Sequence, residues 1–499
     1  MIAMAKIQQF SEIAQSLPFS EYDFYDLYRR TFTWTELGRM KRLLPLHEMA
    51  LVFGLVRKPR YGARGRKSFF SPEGKVALMF LKMYTGLSAP KLMEQLNGNI
   101  HYQIFCGISI NPLRPLTNYK LIDDIASELS GKLKIQRQQD ILAEAWKPYM
   151  KDLDTFYTDA TCYESDMRYP TDRKLLWECI EKSYRMMCEL SQRLGTRRPR
   201  TKFLDVEKAN MGYVKQRRHS KSQQRRLTRR LIHLLGKILG EIRRMMRGHE
   251  DDVLLRAREQ STIDIITKVY RQQKKHFNSN DPRESIPDRI VSISKPYVRP
   301  IVRGKEVKNV EFGAKCNNIL VDGISFIEKL SFNAFSEGTR LEHCIKMHKR
   351  LFKVDARKIG GDTGYAGTSN RNLCKERGIQ TSFVKRGRPS AEKKEKDFVR
   401  QELARVRATQ MEGSFGTQKE HYAMRRIKAR KKKTEILYIF FGIHTANVVH
   451  LAGRLAEKKE AKQHKKHLKR NQNGVLFGGL QVLYQNNLRN RMCRGPLYL

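Results

Sequence analysis

Between residues 227 and 245 large aliphatic side chains return every three or four positions: Leu227, Leu231, Leu234, Ile238, Ile242 and Met245. That period predicts a helix with one apolar face, and Arg225, Arg226, Arg229 and Arg230 cluster on and beside the other face. Residues 1–150 read as helical and loop-rich. Ser71-Pro72-Glu73 is a helix start, a capping serine followed by proline at the first helical position. Val76, Leu78, Met79, Leu81 and Met83 follow, and Gly86 closes the helix. Ser88 opens a short helix through Leu96, and Thr117 can cap a third. Short helices joined by tight turns suit a helix-turn-helix-like DNA-binding module and a plain helical bundle equally.

Beyond residue 150 strand and helix patterns alternate. Thr155–Thr161 is rich in aromatic and β-branched residues and predicts a strand. Pro282, Pro287, Pro296 and Pro300 mark an extended connector. Val310–Val321 and Ile324–Phe332 flank Asp322-Gly323, a strong hairpin turn. A helix from about Glu337 to Leu351, a strand ending near Asp362, a short helix at 372–377, a strand at 381–384 and a long helix from about Ala391 into the 420s complete the series. This order predicts an α/β fold, a ribonuclease-H-like mixed-sheet core. The expected organisation is a helical N-terminal DNA-binding domain (1–150), the first catalytic strand (151–177), a basic helical insertion (178–285), the remainder of the core (286–450) and a basic tail (451–499).

Composition narrows the class. The chain has 499 residues, 98 Lys and Arg against 51 Asp and Glu, and a net charge of +47. A hydrophobic share of 40% excludes a disordered chain despite that charge, and the charge calls for a polyanionic partner. Residues 193–247 hold 18 basic residues against three acids, and Arg425–Lys433 holds seven basic residues in nine. The longest apolar run, Ile436–Ile443, falls short of the roughly 20 residues that span a bilayer, and the N-terminus has no signal-peptide pattern. The eight cysteines form neither a Cys-x-x-Cys pair nor a cluster with zinc-ligand spacing. A cytoplasmic protein facing nucleic acid, with no membrane partner, is expected.

Three acids stand where such a core places its metal ligands: Asp159 on the first strand, Asp362 at the end of the fourth, Glu412 on the late helix. Phosphodiester chemistry needs an activated oxygen nucleophile and relief of charge on the leaving oxygen. Two divalent ions about 3.5–4 Å apart serve both needs, and carboxylates are the hard ligands magnesium prefers. Mg²⁺ is therefore the expected cofactor, with Mn²⁺ as a substitute. On the late helix Arg405, Glu412, Lys419 and Arg426 are spaced by seven and share one stripe, which suits a metal site that also grips phosphate. Lys385-Arg386-Gly387-Arg388-Pro389 is similar to a minor-groove hook, although a tight basic turn accounts for it as well.

Four stretches carry a family likeness. They are Tyr157-Thr158-Asp159-Ala160-Thr161 with Arg168–Asp172, Arg303-Gly304-Lys305 with Glu311–Lys315, Gly361-Asp362-Thr363-Gly364-Tyr365, and Met411–Lys419 trailed by Phe441–Asn447. With the Ser71–Ile110 region, they make the chain resemble bacterial insertion-sequence DDE transposases of groups four and five. The resemblance implies that Asp159, Asp362 and Glu412 form a catalytic, metal-binding triad and that Lys419 helps hold the transposon end. It implies binding of inverted-repeat ends and target DNA, a homodimer on those ends, and work on the bacterial nucleoid. Two departures stand out. The family arginine four residues before the glutamate is Ala408 here, leaving Arg405 or the neighbouring Arg407, about 100° round the helix, to take its place. The long gap lies between Asp159 and Asp362 and the short one before Glu412, so the hairpin chemistry of the group-four insertion does not carry over. The expected function is metal-dependent DNA cleavage and strand transfer. Its rivals are a non-catalytic DNA-binding protein or inactive remnant, and a ribonuclease-H-like nuclease without strand transfer.

Overall fold

The computed structural model describes residues 21–56, 68–247, 254–279, 284, 286–302, 310–384 and 393–457. Helices α1 (Glu21–Phe32), α2 (Glu36–Leu43), α3 (Leu46–Val52), α4 (Pro72–Thr85), α5 (Ala89–Gly98), α6 (Ile100–Cys106), α7 (Lys120–Lys132) and α8 (Ile135–Trp146) precede the sheet. The start of α4 is as expected: Ser71 Oγ accepts the Gly74 amide at 2.9 Å, and Gly86 ends the helix in the left-handed region at φ 64. Thr117 does not cap α7. Its carbonyl accepts the Tyr119 amide, while the Asn118 side chain takes the Lys120 amide at 3.2 Å. The N-terminal helices are not a separate body: their buried side chains belong to one hydrophobic core with the sheet and the last helix.

Seven strands form the sheet: β1 (Thr155–Ser165), β2 (Pro300–Val302), β3 (Val310–Val321), β4 (Ile324–Ser331), β5 (Lys358–Gly361), β6 (Gln380–Thr381) and β7 (Arg426–Ile427). The order is β2-β3-β1-β5-β6, with β4 on β3 and β7 on β1. β3 runs antiparallel to β1 and β4, and β5 runs parallel to β1 and β6. The β3–β4 hairpin turns on Asp322 (φ 45) and Gly323 (φ 78), the positive-φ pair that matches the twist of two-residue hairpins. The expected strand at 381–384 shortens to β6. There Ser382 Oγ both donates to the Gly361 carbonyl and accepts the Gly361 amide at 2.9 Å, so a side chain replaces ladder bonds. β2 has no strong sequence signal; it pairs with Val310–Phe312.

Helices α9 (Asp172–Arg193), α10 (Phe203–Lys215), α11 (Lys221–Met246) and α12 (Ala257–Asn278) lie between β1 and β2 and have their own apolar core. All of the expected α11 stripe is buried except half-buried Met245. The insertion begins before residue 178, because Thr171 caps α9 by accepting the Lys174 amide, and it ends after 285, because Ile290 and Ile293 join its core.

After α13 (Leu341–Phe352), α14 (Thr368–Glu376) and α15 (Lys393–His421), the helix α16 (Lys432–Glu457) is longer than its apolar run suggests. By length and composition it could cross a bilayer, but 72% of its apolar window is buried inside the fold. It serves the sheet. β4 would otherwise expose a row of backbone groups, and two buried amides close it. Asn447 of α16 accepts the Ser325 amide at 2.9 Å and donates to its carbonyl at 2.7 Å. Gln139 of α8 does the same at Ile327, at 2.6 and 3.0 Å. Asn447 also donates to His444 Nδ1 at 3.1 Å. His444 sits among Trp146, Phe326 and Phe440, so the segment 444–447 is core.

Two predictions follow from this packing. Burial holds the His444 imidazole neutral, its pKa pushed down to about 3, against about 6.5 unfolded. Below pH 6.5 the unfolded chain binds a proton that the folded chain refuses. Stability is therefore complete above that pH and falls by up to about 1.4 kcal/mol per pH unit toward 3; in denaturation curves across this range, His444→Phe flattens the slope. Gly360 pairs with Tyr157 across β1 and β5, and a Cβ there would stand 2.3 Å from Tyr157 Cδ1 and 3.2 Å from the Leu403 carbonyl. Gly360→Ala lowers the denaturation midpoint, at a cost of about 1–3 kcal/mol; an unchanged midpoint contradicts this contact.

Candidate active site

The β1–β5 register aligns Thr158 with Gly361, so the next residues of two parallel neighbours, Asp159 and Asp362, lie side by side. Asp159 Oδ1 accepts the Ala160 amide at 2.7 Å. Asp362 opens a tight turn after β5, its Oδ1 accepting the Gly364 amide at 2.9 Å. A third carboxylate joins them. Glu337 arrives on the loop after β4, and Gly338 lets that loop press on the Asp362 turn, since a Cβ there would meet the Gly364 carbonyl at 2.5 Å. Carboxylate oxygens of Asp159, Glu337 and Asp362 lie within 4.8 Å of one another, a group able to hold a metal ion.

Two cations balance the three acids. Arg407 on α15 places Nη1 2.9 Å from Asp159 Oδ2, each side chain 19% exposed. Lys315 on β3 places Nζ 2.7 Å from Glu337 Oε1 and donates to the Phe335 carbonyl at 3.0 Å. Burial still dominates at Asp159 and raises its pKa to about 6. The Ala160 amide and Arg407 oppose that rise, while Asp362 and Glu337 add to it. Below the acids, Thr158, Asn317, Cys344 and Tyr365 form a buried polar floor. Thr158 Oγ1 donates to the Asn318 carbonyl at 3.1 Å, Tyr365 donates to Asn317, and Asn317 Nδ2 reaches Glu328 at 3.0 Å.

Of the expected triad, the structure brings together Asp159 and Asp362. Glu412 lies on α15 outside the metal-competent group, exposed, beside buried Met411. Lys419, on the Glu412 face of α15, donates to Thr161 Oγ1 at 2.8 Å; Thr161 is two residues beyond Asp159 on the same face of β1. Arg405 is exposed, and Arg407, of the two arginine candidates, is the one that turns inward. Arg426 does not continue the helical stripe: α15 ends at His421, and Arg426 lies on β7, where it pairs with Asp166 at 2.9 Å. In the insertion, Arg225 and Arg229 stand 5.3 and 6.0 Å from the Phe277 ring centre, Arg226 is exposed, and Arg230 donates to the Asp205 carbonyl at 3.3 Å. Arg386 and Arg388 lie outside the described residues, as does the 303–305 stretch. Glu337 escaped sequence reasoning because it reads as the first residue of a helix. Its one signal is an acid followed by glycine in the loop before that helix.

The donors suit a hard divalent ion: three carboxylates converge, and among the described residues no other such group of acids, histidines and cysteines occurs. Comparison with known proteins gives two family models. Residues 359–452 match the Transposase DDE domain, a span that holds Asp362, Glu412 and Lys419. Residues 28–124 match the Transposase domain (DUF772), which takes in most of α1 through α7. No curated protein and no solved structure matches. The DDE model implies a divalent metal, for which the acidic group is present. These two matches support an insertion-sequence DDE transposase.

Proposed function

We propose that the chain binds the ends of its insertion sequence, cuts DNA there with Mg²⁺ or Mn²⁺, and joins the freed 3′-hydroxyl to target DNA. The observation that carries this reading is the adjacency of Asp159 and Asp362 on parallel neighbouring strands, joined by Glu337 within 4.8 Å. The sheet supports a ribonuclease-H-like core: β4, β3 and β1 run antiparallel, and β5 and β6 follow parallel to β1 on its other side.

In this reading Asp159, Asp362 and Glu412 are the catalytic carboxylates that hold the metal. Bound there, divalent ions would activate the attacking oxygen and relieve charge on the leaving oxygen. The chain's own residues position the DNA. Lys419, bonded to Thr161 two strand residues beyond Asp159, grips a phosphate of the end, with Arg405 on the same helix and Arg426 on β7 adding to the grip. Arg225, Arg226, Arg229 and Arg230 face the duplex from the insertion, and Arg386 and Arg388 extend the basic track. Such contacts set register and affinity without reading bases. The helical N-terminal region reads the end, two chains pair to hold two ends, and the reaction takes place on nucleoid DNA in the cytoplasm.

Asp159→Asn, Asp362→Asn and Glu412→Gln should each lower Mg²⁺-dependent cleavage of inverted-repeat DNA by at least about a hundredfold while end binding stays within a few-fold of wild type. Retained cleavage in any one removes that residue from the triad. Given a plasmid target, joined products mark a transposase, cleavage alone marks a nuclease, and binding alone marks a regulator or inactive copy.

A further inference from the structure

We propose that Arg407 is a positioning residue that blocks Asp159 against divalent ions in the DNA-free chain, and that DNA phosphates draw its guanidinium away, so that DNA binding and metal loading are cooperative. This rests on the reading above that the acidic group holds metal. Both Asp159 oxygens are already engaged, Oδ1 by the Ala160 amide at 2.7 Å and Oδ2 by Arg407 Nη1 at 2.9 Å. Each oxygen keeps a second lone pair, but an ion bound to Oδ2 at about 2.0–2.1 Å would bring two positive charges beside the guanidinium that already stands 2.9 Å from that oxygen. Charge acts in the same direction. Three carboxylates facing Arg407 and Lys315 leave the group about one charge negative, a weak attractor for a doubly charged ion; with Arg407 withdrawn, it attracts more strongly.

Arg407 is suited to leave. Its side chain is part-exposed on a helix whose neighbouring Arg405 is exposed, and a phosphate offers the guanidinium a bidentate, charged partner of comparable strength. Glu337 is held differently: Lys315 is itself largely buried and anchored on the Phe335 carbonyl, so that pair stays. One movable cation thus separates a closed carboxylate from an open one. By linkage, any factor by which DNA tightens metal binding equals the factor by which metal tightens DNA binding.

The test is Mn²⁺ titration of the full-length protein, with free Mn²⁺ read by electron paramagnetic resonance. It is run with and without a short duplex, and Asp362→Asn with duplex serves as the background. Without DNA, Arg407→Gln should bind Mn²⁺ about tenfold more tightly than wild type, whereas Arg407→Lys, which keeps the charge, should stay near wild type. Duplex should tighten Mn²⁺ binding to wild type by a similar factor and leave Arg407→Gln unchanged. Equal or weaker Mn²⁺ binding by Arg407→Gln, with Arg407→Lys folded and normal, overturns the proposal; so does a duplex effect of the same size in wild type and Arg407→Gln. If Asp362→Asn binds Mn²⁺ as wild type does, the metal reading itself fails, a result distinct from either.

Discussion

One buried carboxylate ties the end of β1 to the chain returning from the insertion. Glu435, on α16 and closed to solvent, accepts hydrogen bonds from Ser165 at the end of β1, from Lys295 at 3.1 Å and from Tyr297 at 2.7 Å. Ser165 is the point where the chain leaves for the insertion, and Lys295 and Tyr297 are where it has come back. A four-helix body thus hangs between β1 and β2, which both pair with β3, and a single residue of the last helix receives both ends of the excursion. An ion pair so deeply buried stabilises only if every donor is matched. Here the two oxygens of Glu435 meet a hydroxyl, an ammonium and a phenol, and leave none of those groups alone.

With β1 and β3 held in register, the acidic site needs little else. Asp159 and Asp362 are remote in sequence, yet parallel pairing leaves them no choice but to be neighbours. The polar floor of Thr158, Asn317, Cys344 and Tyr365 lies under them where a hydrophobic core would be expected, so the carboxylates rest on dipoles that are already paired. The site is also partly neutralised: Arg407 and Lys315, from different elements, meet two of its three acids.

Much of this was legible in the residues. The helix from Ser71 to Gly86, the hairpin around Asp322-Gly323 and the α11 stripe follow from local rules, since capping, positive-φ turns and periodicity act within a few residues; the places of Asp159 and Asp362 come from the order of elements and the family likeness. What the chain concealed depends on distant partners. β2 is three residues long and exists because β3 offers it an edge. The strand expected at 381–384 lost its ladder to the hydroxyl of Ser382. The length of α16 was not legible from the run Ile436–Ile443, because His444 and Asn447 are polar residues whose partners Trp146, Phe326 and Ser325 are more than a hundred positions away. Glu337 illustrates the same limit at the site. A loop glutamate carries no period and no spacing, and only the contact of Gly338 with the Gly364 carbonyl brings it to the metal-competent group. Glu412 shows the converse: the family likeness names it, yet it stands exposed on α15 outside the metal-competent group.

The insertion leaves and returns at one place, where Asp172 meets Arg289 at 2.6 Å and Glu435 gathers Ser165 and Lys295. Among the described residues its two ends meet at the end of β1, where Ser165 stands six residues beyond Asp159 on the same strand (165 − 159). Whatever the four helices carry is therefore hung from the strand that bears the first of the site's carboxylates.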